Sequence, residues 1–146
     1  MIGQVAKATL LSLGAGFLAQ LSQNWLGSQY FTEFLKANLI NILIALLAVN
    51  SATMGIVLTK IRDLVDRHGH GETFARTRRQ MLLSVREQVV LVSAAILILT
   101  IWQSPHFKSI SNIDLFFGAC TIAIFVYGMS VLYDTAMSVL IIIDFK

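Results

Sequence analysis

The sequence predicts an all-α, polytopic membrane protein with four transmembrane helices and a cytoplasmic helical hairpin that extends helices two and three. Three observations predict it. Hydrophobic residues make up 56% of the 146 residues and charged residues 13%, whereas soluble domains average ~45–50% and ~25%. The apolar residues form four long runs, and most basic residues lie in one connection between two runs. This composition excludes a disordered chain, a collagen-like fibre and a disulfide scaffold.

The four runs define the predicted spans within a single membrane domain, residues 1–146. A spanning helix needs ~20 mostly apolar residues, because the hydrocarbon core is ~30 Å thick and each residue rises ~1.5 Å. The runs cover about residues 5–25, 35–59, 85–102 and 115–134. The first is the weakest, because Lys7, Gln20 and Gln23 interrupt it, and a signal peptide or a helix lying on the membrane surface are its alternatives.

The fourth run continues as an apolar extension to residue 143. A helix from residue 115 to residue 143 is about 43 Å long and exceeds the bilayer core. The extension must therefore pack on the hairpin, lie in the interface, or contact another subunit or partner.

The distribution of charge predicts the orientation. Seven of the eleven Lys and Arg residues lie between Lys60 and Arg86, and basic loops stay in the cytoplasm. We therefore expect a multi-pass protein of the bacterial inner (plasma) membrane with both termini cytoplasmic. An aromatic belt is expected at the outer ends of the spans, where these residues lie: Trp25, Tyr30, Phe31, Phe34, Trp102, Phe107, Phe116 and Phe117.

Residues 60–88 are predicted to form the cytoplasmic helical hairpin, with its tip near residues 69–71, where two glycines allow the chain to reverse. Its arginines would dock on anionic lipid headgroups or on a cytoplasmic protein partner: Arg62, Arg67, Arg76, Arg78 and Arg79. His68, His70 and Glu72 suggest a metal site, but a spacing of two does not align ligands on one helical face. We expect neither a metal nor another cofactor.

Each of three spans carries one face of small and polar residues. The first face contains Thr9, Ser12, Gly16, Gln20 and Gln23, within an arc of about 80°. The second contains Asn38, Asn41, Ala45, Ala48, Ala52, Gly55 and Thr59, and the third contains Cys120, Ala123, Tyr127, Ser130, Asp134 and Ser138. Such faces either pack helices together or line a water-filled path in an oligomer. Asn50 and Thr53 lie off the second face and need a different neighbour.

Asp134 is the acidic residue that the sequence places at the cytoplasmic boundary of the fourth span. It either pairs there with Arg86 or Lys60, or serves as a gate or ion-binding group.

No catalytic constellation is present in the sequence. A nucleophile elbow, a zinc-protease motif and a phosphate-binding glycine loop are all missing. We therefore expect a protein that is not an enzyme, that contacts the lipid bilayer, that forms a homo-oligomer and that does not bind nucleic acid directly.

The layout of residues 46–98 resembles that of a group of known membrane proteins. It contains Leu47-Ala48-Val49-Asn50-Ser51-Ala52-Thr53, then Lys60-Ile61-Arg62-Asp63-Leu64, and later Arg78-Arg79 and Arg86-Glu87-Gln88. This order of membrane helix, basic hairpin and membrane helix resembles small polytopic proteins of bacterial antiphage operons, namely RexB-like proteins, Kiwa membrane subunits and retron membrane effectors.

The resemblance implies a subunit of abortive-infection type. Such a subunit is a pore-forming effector, or a scaffold and sensor that recruits a cytoplasmic partner through the hairpin. Two alternatives stay open: an accessory structural subunit of another membrane complex, and a small multidrug-type transporter. Four-helix transporters use an acidic residue in the first membrane helix, and the first span here has none.

Overall fold

The computed structural model consists of four α-helices. It describes residues 2–68, 71–105 and 112–143, with side chains described except at residues 2, 4, 63–68, 71–78, 80, 138 and 140–143. The helices are α1 (Ile2–Trp25), α2 (Tyr30–His68), α3 (Gly71–Gln103) and α4 (Ile113–Ile143). Within these ranges the chain contains no β-strand, so the all-α prediction is confirmed.

Each helix contains a segment long and apolar enough to cross a membrane: Val5–Trp25, Tyr30–Arg62, Met81–Gln103 and Ile113–Met137. All four predicted runs fall within these segments or overlap them closely, including the weak first run. The fold is therefore compatible with a multi-pass membrane protein.

α2 begins before the predicted second span, which covers residues 35–59. Gly27, at φ 65°, ends α1 with a left-handed residue, and α2 begins at Tyr30. Glu33 lies in the first turn of α2, where a negative side chain stabilises the positive end of the helix dipole. Glu33, which the hydropathy pattern assigns to a loop, is thus part of α2.

α4 is the central helix of the bundle. It packs against all three other helices, and α2 also packs against α3, whereas α1 packs mainly on α4. The main core lies where α2, α3 and α4 meet, and its buried members are Leu35, Leu39, Leu43, Ala95, Leu99, Trp102, Phe117, Ile122 and Ile124.

A second, smaller core lies near the C-terminal end of the candidate span of α2 and the N-terminal end of the candidate span of α3. Val57 and Ile61 of α2 and Met81 of α3 are buried there, and Val139 of α4 packs against them. The described part of the apolar extension of α4 therefore packs on α2 and α3. We call this the basic end of the bundle, because Arg62, Arg79 and Arg86 lie there, and the other the opposite end.

Of the residues predicted to form an aromatic belt, some are exposed and others lie in the core. Trp25, Tyr30, Phe34 and Phe116 are exposed at the opposite end, but Trp102 and Phe117 are buried and stack on each other with ring centroids 6.0 Å apart. Phe31 packs edge-on against Phe125, and Phe107 lies outside the described residues. The rings of Phe31, Trp102 and Phe117 contribute to the main core because α2, α3 and α4 meet there.

Candidate functional site

The small-residue face of α1 lies against α4. Ser12, Gly16 and Gln20 are buried, Gln23 is half-buried, and Thr9 is exposed with its hydroxyl donating to the Val5 carbonyl oxygen at 2.8 Å. Most of this face is therefore occupied by contacts within one chain.

Two glycines permit the close approach of α1 and α4. A Cβ atom on Gly16 would collide with the Ala119 carbonyl oxygen and would lie 2.8 Å from the Ala123 nitrogen. On α4, a Cβ atom on Gly118 would lie 2.6 Å from Oε1 of Gln20. The amide of Gln20 therefore lies directly over the backbone of α4.

A polar cluster joins the end of α1 to the start of α2. The Thr32 hydroxyl donates to Oε1 of Gln20 at 2.7 Å and accepts from Nε2 of Gln23 at 3.0 Å. The Thr32 backbone N–H donates to Oε1 of Gln23 at 3.1 Å. Both glutamines of the α1 face are thus bound to one threonine, which the sequence pattern alone does not indicate.

Asn50, which was expected to need a neighbour off the α2 face, finds it on α3. Its Nδ2 donates to Oε1 of Gln88 at 3.0 Å and to the Ser84 hydroxyl at 3.2 Å. Asn50 and Gln88 are 0% and 2% exposed. The Thr53 hydroxyl instead donates a hydrogen bond to the Val49 carbonyl oxygen of its own helix.

The face of α2 that carries Asn41 has no covering helix among the described residues. All but one of its seven members are exposed, namely Asn41, Ala45, Ala48, Ala52, Gly55 and Thr59, while Asn38 is half-buried. The exposed hydroxyl of Thr59 donates a hydrogen bond to the Gly55 carbonyl oxygen of the same helix. The Asn38 side-chain amide donates to the Phe34 carbonyl oxygen. Among the described residues, the Asn41 amide has no hydrogen-bond partner.

A lateral groove of about 390 Å³ lies between α1 and α3, with α4 as its floor. Three members of the third small-residue face, Cys120, Ala123 and Tyr127, contribute to that floor. The walls are mostly apolar, with Val5 and Leu13 on α1 and Val90 on α3 among the lining residues.

The charged residues of the groove lie near the basic end. Arg86 and Glu87 of α3 and Thr9 of α1 line it there. The Tyr127 hydroxyl group lies near the Glu87 carboxylate and Thr9, and Asp134 lies near Glu87 and Tyr127. Glu87 is the functional candidate that sequence reasoning missed: its position in the sequence groups it with the hairpin charges, although it falls within the candidate span Met81–Gln103.

Asp134 itself is exposed on α4 and is engaged in further interactions. Its pairing with Arg86 or Lys60 and its role as a gate both stay predictions. The electrostatic neighbours that the structure identifies are Glu87 and Tyr127.

At the opposite end, a second polar group surrounds Trp102. The indole Nε1 donates to the Asp114 carboxylate at 2.8 Å, and Lys36 Nζ lies 4.3 Å from the centroid of the Trp102 ring. Lys36 is also 3.9 Å from the Glu33 carboxylate. This group ties α2, α3 and α4 together.

Of the predicted docking arginines, the structure places Arg62 and Arg79 on the exposed surface of the basic end. The side chains of Arg67, Arg76 and Arg78 lie outside the described residues, and so does the tip of the predicted hairpin at residues 69–70. The suggested cluster of His68, His70 and Glu72 also falls outside the described side chains.

No known protein family, curated protein or solved structure matches the chain.

Proposed function

We propose that the protein is an oligomeric multi-pass membrane subunit that acts as a scaffold, binding other membrane helices through α2 and a cytoplasmic partner through its basic end. The observation that carries this proposal is Asn41, a side-chain amide on the exposed face of α2 with no polar partner among the described residues.

The position of Asn41 explains why a partner is needed. It lies eleven residues from the start of a candidate span that runs from Tyr30 to Arg62, at a depth where lipid offers the amide no hydrogen bond. Membrane helices associate through small residues that let backbones approach, and through polar side chains that bond across the contact. Ala45, Ala48 and Ala52 lie on the same face of α2, so a second helix can approach closely enough to reach Asn41.

The placement of the α1 face supports a scaffold over a pore. Ser12, Gly16 and Gln20 are buried against α4 within one chain, so in this conformation they contact protein and do not face a path between subunits. Gln23, the remaining amide of that face, is bound to Thr32.

The basic end supports a cytoplasmic docking role. α2 continues as a helix to His68 and α3 begins at Gly71, so both helices run into the basic segment between Lys60 and Arg86. The concentration of arginine on these segments supports an orientation with both of them, and both termini, on the cytoplasmic side of a bacterial inner membrane. Arg62 and Arg79 are exposed there and can bind anionic lipid or an acidic partner surface.

The resemblance in layout favours an antiphage defence operon as the setting for this scaffold. A gene for a nuclease, a reverse transcriptase or a nucleic-acid-binding protein beside the gene for this chain would agree with that setting. Expression tests the mechanism: a scaffold leaves the membrane potential intact and co-purifies with one defined soluble protein, whereas depolarisation that depends on Gln20 and Gln23 would identify a pore.

The oligomeric state tests the proposal directly. We expect the wild-type protein to be an oligomer in mild detergent and in bilayers, and Ala48→Leu and Asn41→Leu to dissociate it. Ala15→Leu is the matched control, because Ala15 is exposed on a different helix. A wild-type monomer in bilayers, or equal effects of Ala48→Leu and Ala15→Leu, would contradict the proposal.

A small transporter is the second candidate, and Glu87 is the observation that favours it. Such transporters need an acidic group within the membrane, and α3 supplies one that faces a groove. Uptake or export driven by a proton gradient and abolished by Glu87→Gln would favour transport over the scaffold.

A further inference from the structure

We infer that the groove between α1 and α3 is a binding site for one zwitterionic phospholipid, with an acyl chain along the groove and the headgroup at Arg86 and Glu87. This goes beyond the proposed scaffold role and does not depend on the oligomeric state.

The shape of the groove fits a hydrocarbon chain. On α3 its lining runs from Leu83 to Ile98, and the part from Glu87 to Ile98 covers eleven residues, about 16 Å at ~1.5 Å per residue. This is more than half of the ~30 Å hydrocarbon thickness of a bilayer, so the groove follows one leaflet. It opens sideways between α1 and α3, and the surface beyond Glu87 is mostly apolar, formed by residues such as Val90, Leu91 and Ile124.

The charged residues stand, with Thr9 and Tyr127, at only one end of this groove, as the two ends of a lipid require; the remaining polar groups of its lining are the Ser12 hydroxyl and the Cys120 thiol. Glu87 lies fifteen residues before Trp102, about 22 Å along α3, so with Trp102 at the outer boundary of a ~30 Å core it lies in the inner leaflet, about 8 Å from the inner boundary. A transported solute would need polar contacts along the whole path, whereas a lipid needs them only at its headgroup.

The charges at that end match a zwitterion. Arg86 and Glu87 are adjacent on α3 and both line the groove, but neighbouring residues on a helix do not face each other. Among the described residues, Arg86 takes part in no ion pair. Its guanidinium group can bind a phosphate, for which arginine is well suited.

The ammonium group of the headgroup then has its own counter-charge. Glu87 faces it together with the Tyr127 hydroxyl group, and Asp134 adds a second negative charge nearby. An anionic headgroup would place its phosphate beside the carboxylates of Glu87 and Asp134. It has no ammonium group to offset the repulsion between these negative charges. The site therefore favours zwitterionic over anionic phospholipid.

Native mass spectrometry of the purified full-length protein tests this inference. The protein is loaded with an equimolar mixture of phosphatidylethanolamine and phosphatidylglycerol that share the same acyl chains. We expect one retained lipid per chain, with phosphatidylethanolamine preferred about fivefold, which corresponds to about 1 kcal/mol. Glu87→Gln should abolish the preference, and Glu33→Gln, an exposed carboxylate at the opposite end, should retain it.

A second pair of variants tests the groove without touching the charges. Val90 is 60% exposed and lines the groove, whereas Val89 is 48% exposed and does not. Val90→Trp should fill the groove and reduce lipid retention severalfold, and Val89→Trp should leave it unchanged, with both variants equally helical by circular dichroism. Equal retention of the two lipids by the wild type, a preference for phosphatidylglycerol, or equal retention by the two tryptophan variants would overturn the inference.

Discussion

Nδ2 of Asn50 donates a hydrogen bond to Oε1 of Gln88 over 3.0 Å and so joins α2 to α3 inside the bundle. The remaining polar atoms of this pair, Oδ1 of Asn50 and Nε2 of Gln88, are buried without a partner among the described residues. A buried unpaired polar group destabilises the fold. The pair therefore contributes more to the alignment of α2 with α3 than to the stability of the fold.

This relationship predicts a non-additive pair of variants. Asn50→Leu alone leaves the whole Gln88 amide without its partner on α2, and Gln88→Met alone does the same to Asn50, so each should destabilise the fold by about 1–3 kcal/mol. The double variant replaces both amides by apolar groups of similar size and should be close to wild type in stability. Thermal unfolding in detergent micelles, analysed as a double-mutant cycle, measures the coupling. Additive losses would show that the two amides act independently.

The contact of α1 with α4 predicts opposite effects for two neighbouring glycines. Gly16→Ala places a Cβ atom against the Ala119 carbonyl oxygen and the Ala123 nitrogen, which are backbone atoms that cannot rotate away. We expect a loss of about 1–3 kcal/mol, as in other overpacked sites. Gly14→Ala is the control, since no atom outside its own helical turn lies within 4 Å of the position that its Cβ would occupy, and it should be neutral or stabilising by up to about 1 kcal/mol. A smaller loss for Gly16→Ala than for Gly14→Ala in thermal unfolding would disprove this packing.

The sequence predicted the helices well because hydropathy and length determine them locally. It also predicted that Asn50 needs a neighbour outside the α2 face, since an amide at membrane depth requires a partner. It could not identify Gln88 or Thr32 as the partners, because both contacts depend on how helices are placed relative to one another. Glu87 was missed for a related reason: its neighbour Arg86 belongs to the basic segment, and only the packing of α1, α3 and α4 shows that Glu87 faces a groove.

Thr32 is predicted to control the junction of α1 and α2. Thr32→Val keeps the shape of the side chain but removes the hydroxyl that binds Gln20 and Gln23, so the buried Gln20 amide loses a partner. We expect a loss of about 1–3 kcal/mol. Thr100→Val is the control, because the Thr100 hydroxyl is exposed and bonds only to the Ile96 carbonyl oxygen of its own helix. Steric trapping in bilayers measures both variants, and equal effects would mean that the junction does not depend on this hydroxyl.

The two tryptophans are predicted to contribute very differently to stability. Trp102 is 6% exposed, donates to Asp114 at 2.8 Å and lies under Lys36, whereas Trp25 is 88% exposed. Trp102→Phe removes the donor and weakens the cation–π contact, which together should lower the free energy of unfolding by about 1–2 kcal/mol. Trp25→Phe changes an exposed ring and should have little effect on that free energy. Circular dichroism during thermal unfolding in micelles compares the two variants, and a larger loss for Trp25→Phe would show that the Trp102 group does not hold α2, α3 and α4 together.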